Sequence, residues 1–121
     1  MLACAGPVWG AVDQPIAVPS RTAVVFHDIL RAAPGIGLTY RFRFVAPGIA
    51  AGVSFDDAVT DMAHLCETYA LPRLSEIGPV PAQVIISVSD QPVVFGEITP
   101  EVTQYFEGYR PEGDRCVWEG F

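Results

Sequence analysis

The chain of 121 residues is half apolar and only 17% charged, which is enough to bury one hydrophobic core and argues against a disordered protein. Fourteen Asp and Glu residues against seven Lys and Arg residues give a formal net charge of −7 at pH 7. A surface of this charge repels polyanions, so the composition argues against nucleic acid and against an anionic membrane surface as partners.

The first twelve residues carry no charged side chain, and this stretch is too short to span a bilayer. The tripeptide Val8–Gly10 places an aliphatic residue and a small residue at positions −3 and −1 of a cleavage site before Ala11. The sequence therefore predicts the remnant of a signal peptide over residues 1–10 and a single domain over residues 11–121. An ordinary frayed terminus is the alternative interpretation.

Cleavage there would remove Cys4 and leave Cys66 and Cys116, which are fifty residues apart. An even number of cysteines in an exported chain predicts a disulfide, and closing a loop of this length stabilises a fold by roughly 3–4 kcal/mol. Two free thiols buried in a cytosolic core are the alternative. The disulfide and the signal remnant together predict a periplasmic or secreted protein.

Two strands and a helix are predicted in the first part of the domain. Thr22–Leu30 is rich in β-forming residues, and Leu38–Val45 alternates large apolar residues with polar ones, so the two are expected to pair as a hairpin. Ser54 is a typical N-cap, and Pro72 ends the helix that it begins. Apolar residues recur along this helix at spacings of three and four and are expected to share one face: Phe55, Val59, Met62, Cys66 and Tyr69.

The second part of the chain is predicted to continue with a strand at Gln83–Ser89, a short return strand at Val93–Glu97 and a closing strand at Arg115–Phe121. Thr99-Pro100-Glu101 is a typical helix start, with a capping hydroxyl and a proline at the first helical position. It predicts a second helix on which three apolar residues share a face, namely Val102, Phe106 and Tyr109.

The resulting order, ββαββαβ, indicates the α+β class: a single domain with a largely antiparallel sheet of about five strands and two helices. From Leu38 onward the order is also that of a ferredoxin-like βαββαβ fold, to which an N-terminal strand would be added. In a ferredoxin-like sheet the first strand already has two neighbours, so the hairpin arrangement is the preferred prediction.

Asp61 and His64 lie three residues apart on the predicted helix, close enough to share a metal ion. A third ligand would be needed, and His27 is the only other imidazole, with nothing to bring it near. A solvated polar face is therefore preferred. The chain contains no GxSxG or SxxK motif, so no catalytic residue, metal ion or cofactor is predicted.

Arg41 and Arg43 project from the same face of one strand, about 7 Å apart, and form a local positive spot on an acidic protein. Pairing of both arginines with acids of the protein itself is the preferred interpretation, and contact with a carboxylate of a ligand or partner is the alternative. Trp118 belongs to an aromatic cluster near the end of the chain. Exposed members of this cluster would suit an interface.

Five segments together resemble a family of small exported alphaproteobacterial proteins that is known only as a domain of unknown function: YRFRFVAPGI, DDAVTDMAHLC with ALPRL, QVIISVSDQPVVFGE and the ending QYFEGYRPEGDRCVWEGF. Members of that family are sometimes labelled acetolactate synthase. Such an enzyme needs several domains to hold thiamine diphosphate, which 121 residues cannot build. The resemblance implies export and a fold, and it implies no activity.

The sequence thus predicts a non-enzymatic periplasmic module that binds a protein or a small ligand, as an accessory or subunit of an envelope complex. The alternative is a small metal-dependent enzyme or hydrolase centred on Asp61 and His64. A pocket in which acids converge on His64 would favour the enzyme, whereas an aromatic patch ringed by arginine would favour the binding module.

Overall fold

The computed structural model of the protein describes residues 14–32, 38–94 and 100–119, in which one sheet carries a helical connection on its face. The strands are β1 (Pro15–Ile16), β2 (Val24–Ala32), β3 (Thr39–Val45), β4 (Gln83–Ser89), β5 (Gln104–Glu112) and β6 (Arg115–Trp118). The helices are α1 (Ile49–Gly52), α2 (Phe55–Leu65) and α3 (Leu74–Ile77); a π-helical turn (Cys66–Ala70) and a 3-10 turn (Leu71–Arg73) join the last two.

The six strands of the described residues lie in the sheet in the order in which they occur along the chain. Neighbouring strands are antiparallel except β3 and β4, which are parallel because the helical segment carries the chain back to the starting edge. The predicted α+β domain with a largely antiparallel sheet is therefore correct in outline. Within the described part of the chain, no helix is both long and apolar enough to cross a membrane.

Alternation along β3 decides which face of the sheet forms the core. Tyr40, Phe42 and Phe44 are fully buried on one face, and the parallel register places the apolar residues of β4 beside them. The helical segment lies on this face, which we call the helix-covered face.

The start of α2 follows from its sequence. The Ser54 side chain accepts a hydrogen bond of 3.1 Å from the backbone N–H of Asp57, and Asp56 and Asp57 occupy the first turn, where the helix dipole favours negative charge. Beyond Leu65 the helix continues into the π-helical turn, whose Tyr69 is buried against the sheet. The predicted start at Ser54 is confirmed, and the predicted apolar face is confirmed at Met62, Cys66 and Tyr69, whereas Phe55 is exposed.

The predicted hairpin of the first two long strands is also confirmed, because β2 and β3 pair antiparallel from Val25 opposite Val45 to Ala32 opposite Thr39. A bulge between Phe26 and Asp28 shifts the register. The sequential strand order rules out the ferredoxin-like alternative, in which strands adjacent in sequence are separated in the sheet.

The second predicted helix is wrong. Residues 104–112 form strand β5 instead, and its partners β4 and β6 bury Gly108 and Tyr109 on opposite faces. If the helical segment from α1 to α3 is counted once, the order of elements in the described residues is therefore βββαβββ, with six strands, rather than ββαββαβ with about five. Of the predicted return strand, Val93 and Val94 have no regular structure and the rest lies outside the described residues, as do the signal remnant, Cys4 and Phe121.

Candidate functional site

A groove lies between the first turns of α2 and the β5–β6 hairpin, on the helix-covered face. It encloses about 400 Å³, within the range of about 300–1,000 Å³ that is usual for small-molecule pockets. Its walls are mostly apolar, with two carboxylates. The lining residues are Phe55, Asp56, Val59, Ala63, Glu107, Tyr109 and Trp118.

Helix periodicity and strand pairing bring these residues together. Phe55, Val59 and Ala63 are spaced by four, so they form one stripe along α2. Tyr109 lies directly opposite Trp118 in the β5–β6 ladder, so their side chains stand on the same face of the hairpin. The groove is the space that remains between this stripe and this pair.

Two large aromatic side chains on the groove are open to solvent. Phe55 is 55% exposed and Trp118 is 62% exposed, although large aromatic side chains such as these usually contribute to a core. The Phe55 ring contacts that of Tyr105 edge to face, with centroids 5.5 Å apart. The indole Nε1–H of Trp118 donates a hydrogen bond of 2.6 Å to Oε1 of Glu107. These contacts hold both rings in place while leaving their surfaces accessible.

Tyr109 contributes a polar group to the inner wall. The residue is 2% exposed, and its hydroxyl is buried with no hydrogen-bond partner among the described residues. Burial raises the pKa of Tyr109, and the nearby negative charges of Glu107 and Glu67 raise it further. The phenol is therefore neutral at physiological pH.

A disulfide between Cys66 and Cys116 fixes the hairpin against the helical segment, as predicted. The two Cα atoms are 6.2 Å apart, a separation that a disulfide spans without backbone movement. Next to it, the backbone N–H of Cys116 donates a hydrogen bond of 3.1 Å to a carboxylate oxygen of Glu67. Since Trp118 follows two residues later on β6, this junction positions the outer wall of the groove.

The predicted pair Arg41 and Arg43 lies on the opposite face of the sheet. The Arg43 guanidinium bonds both carboxylate oxygens of Asp28, at 2.6 and 2.7 Å, and donates to the carbonyl of Val93 at 3.0 Å. The hydrogen bond raises the pKa of Arg43 and lowers that of Asp28. The arginine that was considered as a ligand contact is thus paired by an acid of the protein itself.

Arg41 makes a different contact on the same face. Its guanidinium carbon lies 5.6 Å from the centroid of the Phe106 ring, in a cation–π arrangement. Burial, followed by repulsion from Arg43, lowers the pKa of Arg41. Neither arginine lines the groove. A role for Arg41 in partner contact stays a prediction.

Asp61 and His64 do not line the groove either. Asp61 is 4% exposed, and its two oxygens accept hydrogen bonds from the backbone N–H and the hydroxyl of Ser20, at 2.9 and 2.5 Å. The Asp61 carboxylate therefore anchors the segment before β2 to α2. Within the residues that the structure describes, no three His, Cys, Asp or Glu side chains are arranged to hold a metal ion. A metal site centred on Asp61 and His64 stays the alternative hypothesis rather than the preferred one.

Sequence reasoning identified one groove residue as a contact, Trp118, and missed the others. Phe55 was assigned to the buried face of the helix, although more than half of it is exposed. Glu107 was passed over because a helix was predicted there. The available signal was the placement of Tyr105, Glu107 and Tyr109 at every second position, which is the spacing of side chains on one face of a strand.

These features define a small α+β protein with one disulfide and an open, largely apolar groove. The chain belongs to a family of unknown function, DUF6497, whose model matches residues 2–121. No curated protein and no solved structure matches the chain. The predicted membership in a family of unknown function is confirmed, whereas bacterial lineage, export and the acetolactate synthase label are properties on which the family match is silent.

Proposed function

We propose that the protein is a non-enzymatic binding module that holds a small ligand in the groove between α2 and the β5–β6 hairpin. The observation that carries the proposal is the groove itself, with two half-exposed aromatic rings at Phe55 and Trp118 and a Glu107 carboxylate bonded to the Trp118 indole. Apolar pockets with a few convergent polar groups are typical of ligand sites.

The chemistry of the lining residues supports binding over catalysis. The groove has no Ser, Cys, His or Lys side chain among its described lining residues, so it lacks the Ser–His and Cys–His pairs in which a base activates a nucleophile. Of its two carboxylates, Glu107 accepts a hydrogen bond from Trp118. The lining residues as arranged can contact a ligand through apolar packing and hydrogen bonds, which is what a binding role requires.

We place this module in the periplasm or outside the cell, where it would serve as an accessory of an envelope complex. The disulfide supports the placement because such bonds persist in oxidising compartments. The uncharged stretch at residues 1–10 supports it as well. Mass spectrometry of the protein from its native host tests the placement: a mature N-terminus near Ala11 is expected, and an intact Met1 in the cytoplasm would contradict it.

Binding is tested with N-phenyl-1-naphthylamine, a neutral apolar dye whose fluorescence rises when it leaves water. The native protein is expected to bind one dye molecule. Phe55→Ala should weaken binding about tenfold, because the loss of a contact ring removes roughly 1–2 kcal/mol. The matched control is Phe106→Ala, since Phe106 is 48% exposed but lies on the opposite face. Equal losses in both variants, or no dye binding, would contradict the proposal.

A further inference from the structure

We propose that the natural ligand of the groove is a small organic cation, an amine or ammonium group on an apolar body. The inference rests on the proposed function and specifies its ligand class. The apolar body would pack against Phe55 and Val59, and the cationic group would lie beside Glu107 and the Trp118 ring. Three features of the groove support this ligand: the charge of its lining residues, the exposed indole of Trp118 and the second oxygen of the Glu107 carboxylate.

The charge of the lining residues has one sign. Asp56 and Glu107 are acidic, and no Arg, Lys or His is among the described lining residues. The carboxylate of Glu67 lies at the junction of the helical segment and the hairpin, where it accepts a hydrogen bond of 3.1 Å from the backbone N–H of Cys116. Several carboxylates around a partly enclosed apolar space attract a cation and repel an anion.

The nearest arginine of the hairpin leaves this charge unneutralised. Arg110 lies on β5 with its side chain on the opposite face of the strand from Glu107 and Tyr109, because successive strand residues alternate. Its guanidinium donates to Glu119 at 3.2 Å and to Glu112 at 3.4 Å. Arg110 thus pairs with acids on the other face of the hairpin, and the acids of the groove remain available to a cationic ligand.

Glu107 is held in a position to receive a cation. The 2.6 Å bond from Trp118 fixes Oε1, and among the described residues no other donor bonds this carboxylate. Oε2 is therefore able to accept an N–H from an ammonium group, and a hydrogen bond between two charged groups is about twice as strong as a neutral one.

The same bond places an indole ring beside the carboxylate. Trp provides the most favourable aromatic face for a cation, and Trp118 keeps 62% of its surface accessible. Carboxylate and indole together match an ammonium group, which has several donors and no acceptor.

The test compares three probes of one shape by titration calorimetry: 4-phenylbutylamine, 4-phenylbutanol and 4-phenylbutanoate. The amine is expected to bind about tenfold more tightly than the alcohol, because a charged hydrogen bond replaces a neutral one. The carboxylate should bind most weakly of the three. Added salt should weaken binding of the amine and leave the affinity of the alcohol unchanged.

A pair of variants assigns the preference to the groove. Glu107→Gln keeps an acceptor for the Trp118 indole but removes the charge, so it should bring the amine down to the affinity of the alcohol. Glu112→Gln removes one charge from the same strand on its opposite face, and should change amine binding less than about twofold because the site is exposed and screened.

The outcomes separate the two proposals. If the alcohol binds as tightly as the amine and Phe55→Ala weakens both, the groove is a binding site and the inference of a cationic ligand is overturned. If none of the three probes binds, both proposals fail. A chain that dimerises in sedimentation experiments and becomes monomeric as Trp118→Ala would show that a second copy occupies the groove, which also overturns the inference.

Discussion

The two ends of the helix-covered face are closed in different ways. At the β2–β3 end, the Tyr69 ring stacks on Phe26 with centroids 5.4 Å apart and meets Phe44 edge to face at 5.3 Å. At the β5–β6 end, the helix and the hairpin are joined by the Cys66–Cys116 disulfide, and a groove remains between them. One end is held by packing and the other by a covalent bond.

This difference bears directly on function. At the end where aromatic rings join the helical segment to the sheet, around Tyr69, these rings are buried and unavailable to a ligand. At the end where a disulfide joins the helical segment to the hairpin, Phe55 and Trp118 remain more than half exposed, because the covalent bond holds the hairpin in position. A small domain thus combines a stable core with an accessible aromatic surface.

Removing a ring from the packed end should have the largest effect on stability. Phe44 is fully buried between Phe26 and Tyr69. Phe44→Ala should lower the free energy of unfolding by about 3–5 kcal/mol, through lost burial and a residual cavity. Urea unfolding followed by circular dichroism measures it. Phe106→Ala serves as the control for an exposed ring, and similar losses in both variants would contradict the distinction between the packed end and the surface.

Breaking the disulfide at the groove end should lower the free energy of unfolding slightly less than Phe44→Ala does. Reduction of the disulfide should lower the free energy of unfolding by about 3–4 kcal/mol, because the unfolded chain regains the freedom of a long loop. Urea unfolding with and without reductant measures this loss. The double variant Cys66→Ser, Cys116→Ser is the control and should not respond to the reductant. An unchanged midpoint in the native protein would show that packing alone holds this end.

The ion pair on the opposite face should have an intermediate effect. Asp28→Asn leaves the Arg43 guanidinium buried without its carboxylate, which should cost about 2 kcal/mol at pH 7. This is less than the cost of about 3–5 kcal/mol for a fully buried pair, because the Asp28 side chain is 37% exposed. The matched variant Asp90→Asn changes an acid that bonds a backbone N–H instead, at 3.2 Å from Thr103, and should cost less.

The pH dependence of this ion pair has a definite sign. The hydrogen bond from Arg43 lowers the pKa of Asp28 below its ordinary value of 3.8. The stabilisation is therefore fully present above pH 3.8 and is lost as the pH falls through the lowered pKa of the folded state. The difference in stability between the native protein and Asp28→Asn should shrink in that acidic range. A difference that is constant down to complete protonation would contradict the ionic contribution.

The packed end was largely predictable from the sequence, and the groove end was not. Alternation in Leu38–Val45 and the helical spacing of Met62, Cys66 and Tyr69 are local patterns, and each buried one face as expected. At residues 99–109 the local helix signals of Thr99 and Pro100 competed with strand pairing. Pairing prevailed, since β5 is bonded on both sides, by β4 and β6.

The helix predicted at β5 concealed the hairpin wall of the candidate site. The cysteine pairing was predictable because only two cysteines follow residue 10. The meeting of Glu107 with Trp118 depends on the β5–β6 register, which a helix at β5 excluded. Likewise, the burial of Asp61 depends on Ser20, which is forty-one residues away in the chain and has no sequence pattern that links it to α2.

The smallest effect is expected at His64, the residue on which the alternative enzyme hypothesis depends. His64 is partly exposed on α2, and its backbone carbonyl, not its ring, accepts the bond from Thr68. His64→Ala should therefore change the free energy of unfolding by no more than about 0.5 kcal/mol. Asp61→Ala is the contrasting variant: it leaves two donors of Ser20 without an acceptor and should cost about 1–3 kcal/mol. Thermal unfolding with and without Zn²⁺ separates the two hypotheses, because a ligand that binds the folded state raises the melting temperature. We expect no response to Zn²⁺ in the native protein. A rise that disappears in both variants would establish the metal site and shift the functional centre from the groove to α2.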